Sequence, residues 1–289
     1  MREVVSQPET AGFQDAGGQP PILEVSDLGL TYPNGRTVLN GISFQVFSKE
    51  TFVILGGSGC GKSTLLNVLI GVLKPTRGQV RVIGQDIHRL KSAELKSIHL
   101  QCGILFQSGA LIESLSVFEN VCLPLREHYR GVAADILSET ARLKLRMVGL
   151  EDHAGKRPSG ISGGMKKRVA LARALALDPA LVFADEPTSG LDPVSTQEID
   201  DLFIRLTRRI GAAAVVVTHD IASFFRIANR AVLLGGERDG DAQGRVILQG
   251  TQEDFRASGH PLVRRFLDPG ASLESRPELS AERSGAVPV

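Results

Sequence analysis

Eight consecutive residues, Gly56-Gly57-Ser58-Gly59-Cys60-Gly61-Lys62-Ser63, have the spacing G-x-x-x-x-G-K-[ST]. The chemistry they suit is phosphate binding. Glycines let successive backbone N–H groups turn inward as an anion nest, and a helix opening here adds the positive end of its dipole. Lys62 is placed to reach the β- and γ-phosphates of a nucleoside triphosphate, and the Ser63 hydroxyl to meet Mg²⁺. Thr64 offers a further hydrogen bond to phosphate. The four fixed positions recur by chance in roughly one chain of this size in a hundred. Here an apolar run, Thr51 to Leu55, precedes the loop, as the motif requires. Cys60 lies inside the loop. It is small enough to be tolerated there, and a bulky reagent on its thiol is expected to block the nucleotide.

A second cluster is Leu181-Val182-Phe183-Ala184-Asp185-Glu186, an apolar strand ending in two acids. Strand ends of a parallel α/β sheet face the ligand crevice. Asp185 is placed to hold Mg²⁺, directly or through water, and Glu186 to orient or deprotonate an attacking water. Alone, such a pair is compatible with solvated acids; the phosphate loop upstream favours the chemical reading. His219 follows another apolar run, Ala213 to Val217, and would sit beside a γ-phosphate. The other five histidines have no such placement.

These residues need a sheet with helices behind it. Thr51 to Leu55, Ala180 to Ala184 and Ala213 to Val217 read as buried strands. Residues 63 to 73 read as the helix after the loop. Ile199, Leu202, Phe203, Leu206 and Ile210 recur at helical spacing between the last two strands, which predicts a crossover in a parallel sheet. Short strands are expected at Ile22 to Val25 and near Gly29 to Tyr32, with a turn at Pro33, Asn34 and Gly35. The segment 108 to 178 carries helical patterns and no clear strand, and is read as a helical insert. Within it, Ser116 and Glu119 have capping-box spacing, and Pro124 is expected to interrupt the helix they open. Ala231 to Leu234 and Arg245 to Gln249 read as a hairpin around a Gly/Asp-rich stretch.

Residues 1–21 are rich in Gly, Pro, Gln and Glu, and 269–289 in Pro, Ser and Glu; they are expected to form a disordered leader and a flexible tail around one unit, 22–268. The 33 Lys and Arg against 32 Asp and Glu give no electrostatic reason to expect nucleic acid as a partner. Cys60, Cys102 and Cys122 are odd in number and lack metal-ligand spacing, so they read as thiols in a reducing compartment. No apolar run follows Arg2, so no secretory leader is expected. No stretch approaches the roughly 20 apolar residues of a membrane span.

The block Asp185-Glu186-Pro187-Thr188-Ser189-Gly190-Leu191-Asp192-Pro193 resembles the Walker B and D-loop of ABC ATPases. Upstream, Ile161-Ser162-Gly163-Gly164-Met165 resembles their signature sequence, Phe106-Gln107 their Q-loop, and downstream Thr218-His219-Asp220 their H-loop. Tyr32 is similar to the aromatic residue that stacks on adenine. The resemblance spans about residues 22 to 268. It implies an α/β fold: a P-loop NTPase of ABC type, with a mainly parallel sheet core, an N-terminal antiparallel β part and the helical insert. It further implies that Lys62, Gln107, Glu186 and His219 are catalytic and that Ser63, Gln107 and Asp185 hold Mg²⁺. ATP would lie against Tyr32, the loop from Gly56 to Thr64, and, in a second copy of the chain, Ser162, Gly163 and Gly164. Asp192 would couple the two sites. Ile161 and Met165 depart from the commonest signature, Leu-Ser-Gly-Gly-Gln, but the serine and both glycines remain.

Within this family, the segments Phe106 to Leu111, Ser116 to Val121 and Pro124 to His128 resemble the ATPase of Mla/Mce-type lipid transporters. Gly163-Gly164-Met165 and Val263-Arg264-Arg265-Phe266-Leu267 point the same way. The implied function is ATP hydrolysis that powers lipid transport, phospholipid above all, through a separate integral membrane permease. The chain would then be peripheral to the cytoplasmic face of the inner membrane, with Leu111, Leu115, Val117 and Phe118 as residues offered to the permease. A substrate-binding Mce-type subunit and a small regulatory subunit are further candidate partners. The alternatives are another cargo, such as an amino acid or a lipoprotein, or a non-transport ABC switch protein. Switch proteins usually carry two cassettes or a long coiled coil; this chain has one cassette and no sustained heptads.

Overall fold

The computed structural model describes residues 18–236 and 244–268. The expected leader as far as residue 17, the tail from 269, and most of the Gly/Asp-rich stretch lie outside the described residues.

Three buried strands form the centre: β3 (Thr51–Gly56), β7 (Leu181–Asp185) and β8 (Ala213–Val217). With β6 (Cys102–Leu105), β9 (Arg230–Gly235) and β10 (Arg245–Thr251) they make a six-stranded sheet, ordered β10-β9-β3-β8-β7-β6. All neighbours are parallel except β10 with β9, which form the expected hairpin. Successive strand residues point to opposite faces, and two cores result. Val53, Leu55, Val182, Ala184, Ala214 and Val216 face one, while Phe52, Ile54, Leu181, Phe183, Ala213 and Val215 face the other. Burial on both faces explains why these runs are apolar without alternation.

The first core is covered by helices α3 (Val117–His128), α4 (Ala134–Met147), α5 (Gly163–Ala174) and α6 (Pro193–Ile210). The second is covered by α1 (Lys62–Leu69) and a four-stranded antiparallel sheet, ordered β2-β1-β4-β5. Its strands are β1 (Leu23–Thr31), β2 (Thr37–Val46), β4 (Arg77–Val82) and β5 (Gln85–Asp86). The remaining α-helices among the described residues are short: α2 (Ser92–His99), α7 (Ile221–Ile227), α8 (Gln252–Ala257) and α9 (Pro261–Leu267), whose Val263 is fully buried.

Several local expectations change. The two short N-terminal strands are one strand, β1, bent by register shifts around Asp27, whose φ is 47°. The helix after the phosphate loop ends at Leu69, because Gly71 takes a left-handed φ of 79° and closes it. Pro124 does not end its helix: α3 runs on to His128. The proline removes only the N–H that would reach the Asn120 carbonyl. Val117, Val121 and Cys122 before it and Leu125 after it are all buried, and Tyr129 N–H donates to Leu125 O at 2.9 Å, so packing carries the helix through. The capping box forms as expected, with Glu119 N–H donating to Ser116 Oγ at 3.1 Å and Ser116 N–H to Glu119 Oε2 at 2.7 Å.

Candidate nucleotide site

The phosphate loop joins β3 to α1, so a fully buried strand aims it. Its backbone needs glycine at two points. Gly56 has φ 154°, and a Cβ there would collide with Cys60 Sγ and Leu234 O. Gly61, the N-cap of α1, has φ 101°, and a Cβ would lie 2.9 Å from Leu39 Cδ2. Gly57, Ser58, Gly59 and Ser63 are exposed. Lys62 Nζ donates to Gly56 O at 2.8 Å and Gly57 O at 2.9 Å, which sets its ammonium at the loop mouth. Tyr32, exposed just past β1, brings its hydroxyl within 3.5 Å of Thr64 Oγ1. Cys60 corrects one expectation. Its side chain is 4 % exposed and packs into the second core. Only its backbone can face a phosphate, and the thiol is shielded from reagents.

Asp185 ends β7 and Glu186 follows it, next to β8 and the loop that carries His219. Asp185 Oδ1 is buried and meets no hydrogen-bond donor among the described residues. Burial, then the Glu186 carboxylate, pushes the Asp185 pKa up, against the opposing charges of Lys62 and Lys167. A buried acceptor without a donor suits a cation. With the Ser63 hydroxyl and the Gln107 amide it would offer a donor set of one carboxylate and two neutral oxygens, which would leave positions for water and phosphate, as Mg²⁺ prefers.

Glu186 has φ 46°, a left-handed conformation that costs a non-glycine residue about 1–3 kcal/mol. Its N–H is held by Val217 O at 2.9 Å, and its Oε1 lies 2.7 Å from His219 Nδ1. A carboxylate oxygen accepts, so Nδ1 would carry the shared hydrogen, and the imidazole is otherwise largely exposed. Asp220, the next residue, caps α7 by accepting from Ala222 N–H at 2.8 Å, so the histidine sits on an anchored turn.

Ser162 is the N-cap of α5, its Oγ accepting from Met165 N–H at 3.3 Å. A Cβ on Gly164 would meet nothing within 4 Å, so this helix start is open to approach. Asp192 caps α6, accepting from Val194 and Ser195 N–H, each at 3.0 Å, and from Ser195 Oγ at 2.6 Å. The Ser195 hydrogen bonds hold its pKa below the ordinary carboxylate value. Gln107 is exposed two residues past β6.

Two residues missed in the sequence hold these segments. Lys167, on α5, is buried and donates to Gln107 O, to Glu186 O at 3.4 Å and to Ser189 Oγ at 3.3 Å. Burial lowers its pKa, with Glu186 and then Asp185 opposing. Arg173 donates to Gly109 O at 2.6 Å and Ala110 O at 2.7 Å, pinning the turn after Gln107. A signal for Lys167 was present: Lys167, Ala170, Leu171 and Ala174 make one buried helical stripe.

A glycine-shaped loop with a lysine at its mouth, an unsatisfied carboxylate and a hydrogen-bonded Glu–His pair at adjoining strand ends can bind a nucleoside triphosphate and activate water beside it. The comparisons agree with this. A family model described as ABC transporter matches residues 39–189. The intermembrane phospholipid transport system ATP-binding protein MlaF of Haemophilus influenzae is 39% identical over 247 residues, which cover 85% of this chain and 90% of that protein. The methionine import ATP-binding protein MetN of Caulobacter vibrioides is 39% identical over 248 residues, covering 85% of this chain and 72% of that protein. A solved dimeric ATP-binding cassette, in a post-hydrolysis state bound to ADP and Pi, matches with a TM-score of 0.70 and 34% identity, covering 79% of this chain and 98% of its own. On the family match and these relatives together, the chain belongs to the ABC transporter family, as an ATP-binding subunit that hydrolyses ATP.

Proposed function

We propose that this ATPase powers phospholipid movement through a separate membrane permease, with Glu186 as the catalytic carboxylate. The observation that carries the hydrolytic half is the 2.7 Å contact of Glu186 Oε1 with His219 Nδ1, beside the unsatisfied Asp185. The Gly56–Ser63 backbone and Lys62 bind the phosphates, and Tyr32 lies where a base would stack. Glu186 accepts a proton from the attacking water, while His219, oriented through Nδ1, presents Nε2 to the γ-phosphate. Ser63, Asp185 and Gln107 would hold Mg²⁺, which when bound would neutralise charge on the phosphates. Ser162–Gly164 aim an open helix start outward, so they would meet the ATP of a second copy. Val194, 70 % exposed beside Asp192, is an apolar residue that such a partner would cover.

The cargo half rests on the phospholipid-transport relative, which is matched along nearly all of its length, and on the insert resemblance. No helix among the described residues is long and apolar enough to cross a membrane; in this reading the permease is a separate chain. Of the docking residues expected in the insert, Val117 is fully buried and belongs to the core. Phe106 and Ile112, 41 % and 40 % exposed, are better placed to receive an apolar permease helix beside Gln107. That location fits a chain peripheral to the cytoplasmic face of the inner membrane. An Mce-type subunit and a small regulatory subunit complete the assembly we envisage. The equally identical methionine-import relative makes an amino acid the second reading of the cargo.

The test is purification of the chain from host membranes in mild detergent, with partners and lipids identified by mass spectrometry. Reconstituted vesicles are then assayed for transfer of a fluorescent phospholipid. Co-purifying permease and phospholipid, with ATP-dependent transfer lost in Glu186→Gln, is the expected result. Co-purification with an amino-acid permease and no lipid transfer would replace the phospholipid reading.

A further inference from the structure

We propose that Lys167 is a positioning residue for hydrolysis, whose buried ammonium fixes the segments bearing Gln107, Glu186 and Ser189 to the helix that opens with Ser162. The proposal rests on the reading of Glu186 as the catalytic carboxylate. Lysine is almost never buried unless paired, yet Lys167 is only 8 % exposed. Its three N–H donors are matched by three acceptors: Gln107 O, Glu186 O and Ser189 Oγ. The partners lie 60, 19 and 22 residues away in sequence, so the contacts are made by the fold and not by the helix itself. Packing alone does not explain the charge. An unbranched apolar side chain would fill the same place without the cost of desolvating an ammonium.

What the three acceptors share is their location. Gln107 follows β6, Glu186 directly follows β7, and Ser189 lies in the turn that leads to Asp192 and α6. Each belongs to a different stretch of the hydrolytic site, and Lys167 is one side chain that reaches all three. It sits on α5, five positions after Ser162. A displacement of that helix start is therefore transmitted to the Glu186 backbone, which already holds an unfavourable φ of 46° and so depends on its surroundings. The phosphate loop is not among these partners. Loss of the ammonium should loosen the position of Glu186 while leaving ATP capture by Lys62 and the loop in place. Misplacement of a catalytic group by about 1 Å costs on the order of 10²-fold in rate.

The experiment uses the full chain with three substitutions: Lys167→Met, which keeps length but no donor, and Lys167→Gln and Lys167→Arg, which keep donors. Measurements are kcat and KM for ATP, equilibrium binding of a fluorescent ATP analogue, and thermal unfolding. Lys167→Met should lower kcat by roughly 10- to 100-fold while analogue affinity stays within about threefold. At least one donor-bearing variant should recover most of the loss. In a Glu186→Gln background the same change should cost less than about twofold further, because residues acting as a unit are non-additive. The proposal is overturned by turnover within about twofold of the parent, by affinity falling in step with kcat, or by losses that multiply in the double variant. If Lys167→Met shows no cooperative unfolding, Lys167→Leu, which also lacks a donor, carries the same comparison. Normal turnover in Glu186→Gln alone would instead remove the Glu186 assignment; the kcat and affinity readings on Lys167→Met would still decide whether Lys167 serves hydrolysis.

Discussion

Replacing Asp185 by asparagine should stabilise the nucleotide-free chain and abolish its response to Mg-ATP. The carboxylate carries a buried oxygen without a donor among the described residues, and its environment, burial first and then Glu186, favours the protonated form. Asparagine keeps the shape and removes the charge. An unsatisfied buried acceptor costs about 1–3 kcal/mol and more when charged, so the amide sheds the charged excess while its own buried atom stays unpaired. Attraction to Lys62 and Lys167 offsets part of that, since both oppose the pKa shift. A gain of about 1–2 kcal/mol remains, or about 2–8 °C in Tm for a chain of this size. The sign with pH follows from linkage. The parent's folded-state pKa lies above the ordinary 3.8, so the parent loses stability as pH rises from that value through the raised one. The difference between variant and parent should grow over that window and then level off. Thermal unfolding from pH 4.5 to 8, with and without Mg-ATP, reads both effects. A variant less stable than the parent at pH 7 without nucleotide, or one still stabilised by Mg-ATP like the parent, would refute the reasoning.

Pro124→Ala should restore a hydrogen bond to the Asn120 carbonyl and raise stability by about 1–2 kcal/mol, with helix α3 unchanged; a lower urea midpoint would contradict this. Cys60→Ala should keep ATPase activity, and in the native parent Cys60 should label slowly with iodoacetamide, because the thiol is 4 % exposed. Fast labelling with loss of ATP binding would return the thiol to the nucleotide side of the loop. The pair Ser58→Cys and Gly163→Cys should crosslink different copies of the chain in an ATP-dependent way. Links formed only within one copy would remove the shared site.

The central strands were legible because burial on both faces makes them uninterrupted apolar runs, and the acids at the end of β7 stand out against that background. The antiparallel sheet was less legible. β1 is kinked at Asp27, so one strand reads as two, and β2 and β4 are no more than half apolar, like loops. Ile70, Val72 and Leu73 continue the apolar pattern of α1 past the point where Gly71 stops it. Motif residues of the site were readable from spacing because their backbone contacts are local. Lys167 was hidden in the run Lys166-Lys167-Arg168, which reads as a solvated face, and its meaning depends on partners in distant segments. The thiol of Cys60 shows the same limit, since spacing places a residue in a loop but not on one side of it.

Glu186→Gln tests the central claim most directly, because it removes the carboxylate's basicity and leaves its shape. Single-turnover ATP hydrolysis and nucleotide affinity should be measured on the same preparation. Turnover should fall by roughly 10²-fold or more while ATP affinity is kept, and the ATP-bound protein should accumulate as a dimer on size-exclusion chromatography. Turnover close to the parent's, with binding intact, would contradict the account.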